Sequence, residues 1–198
     1  MRKLLGLIIG GLFLLLIVTI YKMRVVNTTV LLQAGHEGRT RGNIGSVHGN
    51  LKEVDWNIAV TKEIEKELKK QNIEVTRVGA NIPATNARIA IAIHFDGSVH
   101  PCSTGASIGY DENHLKSKAL AESWKDVYRE YFPFKWHKDN FTKNLSQYYG
   151  FERVNSEKGF LVLELGEITC NKQTRWLEPR LEVISTKIAD FIIEELEK

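Results

Sequence analysis

The run ARIAIAIHF, residues 87–95, decides the fold. Isoleucine and alanine fill positions of both parities, and no glycine or proline interrupts them. Such a strand has no polar face to give to water, which marks an inner strand of a parallel sheet. Two other runs read the same way: VVNTTVLLQ at 25–33 and GFLVLELG at 159–166. Shorter strands are expected at 73–78 and 104–110. Helical periods lie between them. In residues 51–71, Trp56, Val60, Ile64 and Leu68 recur every four positions and form one apolar stripe. Further helices are expected over 114–131 and about 178–197, the last with Leu181, Ile184, Ile188, Phe191 and Ile192 facing inward. Residues 34–50, AGHEGRTRGNIGSVHGN, read as a long glycine-rich loop. Strands alternating with helices predict an α/β fold: a twisted, mostly parallel central sheet with helices on both faces.

The length of 198 residues suits one domain with a short appendage. Hydrophobic residues make up 43% and charged residues 26%, which is enough for a packed core. The net charge of +3, with no Lys/Arg block, argues against a nucleic-acid partner. The appendage is at the amino terminus, where LLGLIIGGLFLLLIVTIY at 4–21 carries no charge. It approaches the roughly 20 residues that span a bilayer core as one transmembrane helix. Arg2 and Lys3 precede it, Lys22 and Arg24 follow it, and no small-x-small cleavage site comes after it. The expected division is an uncleaved membrane anchor over 1–24 and a globular domain over 25–198. The linker is almost nil, so the domain would sit close to the membrane.

In such sheets, ligands bind beyond the carboxyl ends of the strands. Three chemically able residues fall there: His36 just past the first strand, His94 closing the second long one, and Glu164 inside LVLEL. A fourth, Glu53, stands three residues before Trp56 and heads the apolar stripe of its helix. Each has an ordinary reading alone: a loop histidine, a core histidine, a carboxylate favoured by the helix dipole. Glu164 is the exception, because an isolated buried carboxylate needs a partner or a raised pKa. Together, two imidazoles and a carboxylate can hold zinc with one position open. The second carboxylate could then move protons. Cys102 and Cys170 each follow a site residue closely; they either pair in an oxidising compartment or remain two ordinary thiols. His48 and His100 fall in loops on the site side and are candidates for substrate contact. Trp124, Tyr128, Tyr131, Phe132, Phe134 and Trp136 would offer a sugar-stacking surface or, more simply, core.

The ordered set VLLQAGHEG, a helix-initial Glu53, IAIAIHFDG and LVLELGEITCN resembles the zinc-dependent N-acetylmuramoyl-L-alanine amidases of the amidase-3 type, over roughly residues 28–197. TGASIGYDE is similar to the family's Gly-x-x-x-Tyr strand. The resemblance implies Zn2+ held by His36, Glu53 and His94, with Glu164 as catalytic acid/base. It implies peptidoglycan as substrate, cut between N-acetylmuramic acid and the L-alanine of the stem peptide. With the anchor, it implies a membrane-anchored enzyme working outside the cytoplasm, on the periplasmic or cell-wall side. The chain departs from the family in several places. Gln33 and Ala34 replace Asp-Pro, and Glu167 replaces a phenylalanine. Glu37 replaces a glycine and is expected either to coordinate or to be solvated. An Arg-x-x-x-Ala-Asn helix is missing, with Asn86 and Arg88 as its expected remnants. Two rival readings stay open: a zinc amidohydrolase of other substrate, such as a carboxypeptidase, and a non-catalytic wall-binding or regulatory module. The sequence does not identify a regulator protein; Glu37 or residues 137–158 could cover the metal as an inhibitory element.

Overall fold

The computed structural model describes residues 25–198. The expected anchor at 1–24 lies outside the described residues. Among those described, no helix is long and apolar enough to cross a membrane.

The chain runs through β1 (Val26–Ala34), a small hairpin of β2 (Val47–His48) and β3 (Leu51–Lys52), α1 (Glu53–Lys70), β4 (Val75–Val78), β5 (Thr85–Asp96) and β6 (Ser107–Tyr110). It continues through α2 (Leu115–Tyr131), α3 (Lys143–Ser146), β7 (Val154–Glu167), α4 (Asn171–Leu177), a 3-10 turn (Glu178–Arg180) and α5 (Leu181–Glu197). Five strands form one sheet in the order β4-β1-β5-β7-β6. β4, β1, β5 and β7 are parallel, and β6 closes the edge antiparallel to β7. The mostly parallel sheet is thus as the apolar runs predict. β7 starts earlier than expected, because at its entry buried Val154 and Ser156 alternate with exposed Asn155 and Glu157. Gly159, at φ +140°, marks the register shift that ends this half-exposed stretch.

The stripe Trp56, Val60, Ile64 and Leu68 is buried throughout. It packs with α2 and α5 over Val30, Leu32, Ile91 and Leu163 in the larger core. The opposite sheet face carries smaller or fewer residues, Leu31, Ala90, Ala92 and Val162. Leu145, Tyr148, Phe141 and Phe151 cover it. The helical cover is therefore unequal: the long helices occupy one face, and the other has only the four residues of α3. A shallow alanine-rich face is filled by single aromatic rings rather than by a helix stripe. On the first face, Trp124, Tyr128 and Phe132 are buried, with Tyr131, Phe134 and Trp136 packed against them. That makes them core and not a sugar-binding surface. Asn86 and Arg88 lie within β5, so they are no helix remnant. Asn86 donates to Asn27, and Arg88 reaches Glu157 and the Leu196 carbonyl.

Candidate metal centre and catalytic site

The sheet register sets His94 of β5 directly beside Glu164 of β7. β1 ends two residues before His36, which takes the left-handed φ of +64°. Glu53 is the first residue of α1 and is aimed inward. Its Oε1 lies 3.1 Å from His36 Nε2 and 3.0 Å from His94 Nδ1. The ligand atoms of His36, Glu53 and His94 all fall within 4.8 Å of one another, and all three residues are buried.

Each donor is held from behind. The Ser46 N–H donates to Glu53 Oε2 at 2.8 Å, and the Phe95 N–H to Oε1 at 3.3 Å. Asn57 Nδ2 donates to Glu53 Oε1 and to the Gly35 carbonyl, at 3.3 and 3.0 Å. His36 Nδ1 faces the Asn43 carbonyl at 3.0 Å. Such outer contacts fix ring orientation in metal sites. Gly35 is required by close approach, since a Cβ there would fall 2.3 Å from His94 Cε1. Burial alone would raise the pKa of Glu53, but the hydrogen bonds and charges of His36 and His94 outweigh it and hold the carboxylate far below its usual range. Burial opposes the protonated form of His36, yet its bond to Glu53 raises the pKa above the ordinary 6.5. Two imidazole nitrogens and a carboxylate oxygen, converging and pre-oriented, suit a divalent metal with an open coordination position.

That open side faces a cavity of about 400 Å³. Glu164 and Asp96 line it with the three donors. Glu164 is half-buried, but its Oε2 is buried and has no hydrogen-bond partner. Burial first, and then the negative charges of Glu53 and Asp96, push its pKa well above the usual carboxylate range. Burial and the charge of Glu167 also raise Asp96, whose Oδ2 is likewise unpartnered.

The same residues lie inside a stretch that matches a family of known proteins. Residues 30–194 match the family model Amidase_3, described as N-acetylmuramoyl-L-alanine amidase. The chain belongs to this family. It is a hydrolase, a peptidoglycan amidase. Solved structures agree in fold. An N-acetylmuramoyl-L-alanine amidase from Clostridium difficile 630 superposes with a TM-score of 0.66 at 19% identity, covering 88% of this chain and 98% of that one. The catalytic domain of CwlV, an amidase from Bacillus (Paenibacillus) polymyxa, gives 0.60 at 21%, covering 86% and 98%. The CwlD amidase from Clostridioides difficile, solved with the GerS lipoprotein, gives 0.60 at 17%, covering 86% and 99%. Among curated proteins no significant match was found.

In this amidase, the departures noted in the sequence have identifiable roles. Glu37 is neither a ligand nor free in solvent: its Oε2 accepts from Arg77 at 2.7 Å, which pins the turn that carries His36. Glu167 is fully buried. It accepts from the N–H groups of Cys102 and Thr104 and from the hydroxyls of Thr104 and Thr169. Burial opposes its charge, but these donors outweigh burial and lower its pKa. Glu167 thus clasps the loop after β5. Cys102 and Cys170 form a disulfide across the same loop, closing a sequence separation of 68. Disulfides typically stabilise by about 2–4 kcal/mol. His48 Nε2 bonds Asn171 Oδ1 at 2.9 Å, and neither His48 nor His100 lines the cavity. Asn57 and Asp96 escape sequence reasoning, though both left a trace. Asn57 is polar and four residues after Glu53 on the inward face of a helix; Asp96 follows His94 by two, just past the apolar run of its strand.

Proposed function

We propose that this amidase uses zinc held by His36 Nε2, Glu53 Oε1 and His94 Nδ1 to cleave the bond between N-acetylmuramic acid and L-alanine, with Glu164 as acid/base. The observation that carries this reading is the buried, unpartnered Glu164 Oε2, set beside His94 and facing the same cavity as the three donors. When bound, zinc supplies a Lewis acid for the scissile carbonyl and for water. Glu164 takes the proton from water and returns it to the departing alanine nitrogen. Burial and the charges of Glu53 and Asp96 raise its pKa, which helps it hold the proton taken from water until the nitrogen departs. Glu53 stays ionised: the imidazoles hold its negative charge in the metal-free site, and a bound cation would hold it in the loaded one. Backbone donors fix its position, so no reorganisation is needed when substrate enters.

The test is product analysis. Purified peptidoglycan treated with the zinc-loaded full-length chain is expected to release stem peptides with new L-alanine amino termini. New termini at any other stem residue, with none at L-alanine, would overturn the reading.

The domain works outside the cytoplasm, tethered by residues 4–21. Substrate location supports this, as does the disulfide, a bond that persists in oxidising compartments. Protease added to wall-stripped spheroplasts that express the chain is expected to degrade the domain over 25–198. Full protection until the cytoplasmic membrane is broken would place the domain inside and sink the orientation.

A further inference from the structure

A hydrogen-bond chain runs from the metal centre into the thinner layer of the fold. His94 Nε2 lies 3.4 Å from the Tyr148 hydroxyl. Tyr148 donates to Gln33 Oε1. Gln33 Nε2 donates to the Tyr149 hydroxyl at 2.8 Å, and Tyr149 donates to the Ala80 carbonyl at 2.6 Å. Gln33 is fully buried and Tyr148 nearly so.

The chain has one direction. A backbone carbonyl only accepts, so the Tyr149 hydrogen is committed to Ala80. The Tyr149 oxygen then takes a hydrogen from Gln33, which settles the amide with Oε1 toward Tyr148. Tyr148 gives its hydrogen to that oxygen, and only its lone pairs are left to face His94. Nε2 of His94 must therefore carry a hydrogen, and Nδ1 is the nitrogen turned to Glu53 and the metal. An amide is needed at position 33, because a carboxylate could accept from Tyr148 but not donate to Tyr149.

We propose that Tyr148 and Gln33 are positioning residues that hold His94 in the Nε2–H form and so raise the metal affinity of the site. This rests on the metal reading given above. Tyr148 and Tyr149 lie on the cover of the sheet, between α3 and β7, so the metal centre is tied to a layer that supplies none of its ligands.

The experiment measures zinc affinity by competition with a chromophoric chelator, using the full-length chain and Tyr148→Phe. The substitution keeps the ring, which packs against Phe151 and Phe160, and removes only the hydroxyl. Affinity is expected to fall about 10- to 100-fold, the usual cost of losing an outer partner of a ligating histidine. The metal-free protein should also melt somewhat lower, because buried Gln33 Oε1 loses its donor, so zinc affinity and the His94 imidazole resonance, not the midpoint, separate positioning from a structural role. In the zinc-loaded wild type, the Nε2 proton of His94 is expected as a slowly exchanging imidazole resonance that exchanges faster in the variant. Should Tyr148→Phe fail to fold, Tyr149→Phe, at a more exposed ring, gives the same test with a smaller loss. Equal zinc affinity in wild type and variant overturns the inference alone. Failure of the wild type to take up zinc overturns the metal reading and the inference with it.

Discussion

Glu164→Gln is expected to lose about 100- to 10,000-fold in turnover of peptidoglycan while keeping its fold and its metal, the range lost when a positioned proton donor is removed. Glutamine matches glutamate in shape but cannot take a proton from water. Glu164 is absent from the group of converging ligand atoms, so zinc uptake should be unchanged. The substitution also removes a carboxyl whose charged form is opposed by burial and by the neighbouring charges of Glu53 and Asp96. Its melting midpoint should therefore stay near the wild-type value. Steady-state rates on solubilised peptidoglycan, read beside zinc content and melting, check all three points. Turnover within a few-fold of wild type would remove Glu164 from the chemistry.

The second large effect is that of chelation, and its size should grow with pH. The metal-free site is held by charge: Glu53 is ionised, and His36 is favoured in its protonated form. Because the folded pKa of His36 is raised, its stabilisation is complete below the unfolded value of about 6.5 and is lost as pH climbs through the folded value. Glu53 behaves oppositely. Its pKa is depressed, so its contribution is present above about 4.5 and fails only in strong acid. Above about pH 6.5 the chelated protein therefore loses stability as His36 gives up its proton. Zinc works the other way, since it needs unprotonated imidazoles. Free zinc at about 1,000 times its dissociation constant adds about 4 kcal/mol. The gap between loaded and chelated melting midpoints should widen from pH 6 to pH 8. A gap that narrows, with metal loss confirmed, would show that the site does not hold its metal in this way.

Much of this arrangement is legible in the sequence. Continuous apolar runs admit little but inner parallel strands, and the carboxyl ends of such strands are where His36, His94 and Glu164 had to fall. Glu53 could be read as inward because its stripe partner Trp56 has to be buried. Local pattern does not reach contacts between distant segments. Tyr148 touches Gln33 across 115 residues, and Cys102 and Thr104 reach Glu167 across more than sixty. Nothing in the polar stretch at 137–158 announces that it covers a sheet face, because it buries scattered rings rather than a periodic stripe. The short α3 and α4 leave no pattern for the same reason: a helix of four or seven residues has too few turns to show a period.

Local opening is expected to begin on the thinner side of the molecule. Local opening follows the layer with the least buried apolar surface, and here that layer is the segment carrying Phe141, Leu145, Tyr148 and Phe151. When it lifts, His94 loses its latch, while His36 and Glu53 remain anchored from β1 and α1 on the thicker side. Escape of the proposed zinc would then be a sub-global event, easier than melting of the three long helices. With zinc bound as proposed, activity would be lost before the fold, and the three long helices would keep a scaffold able to take the metal up again.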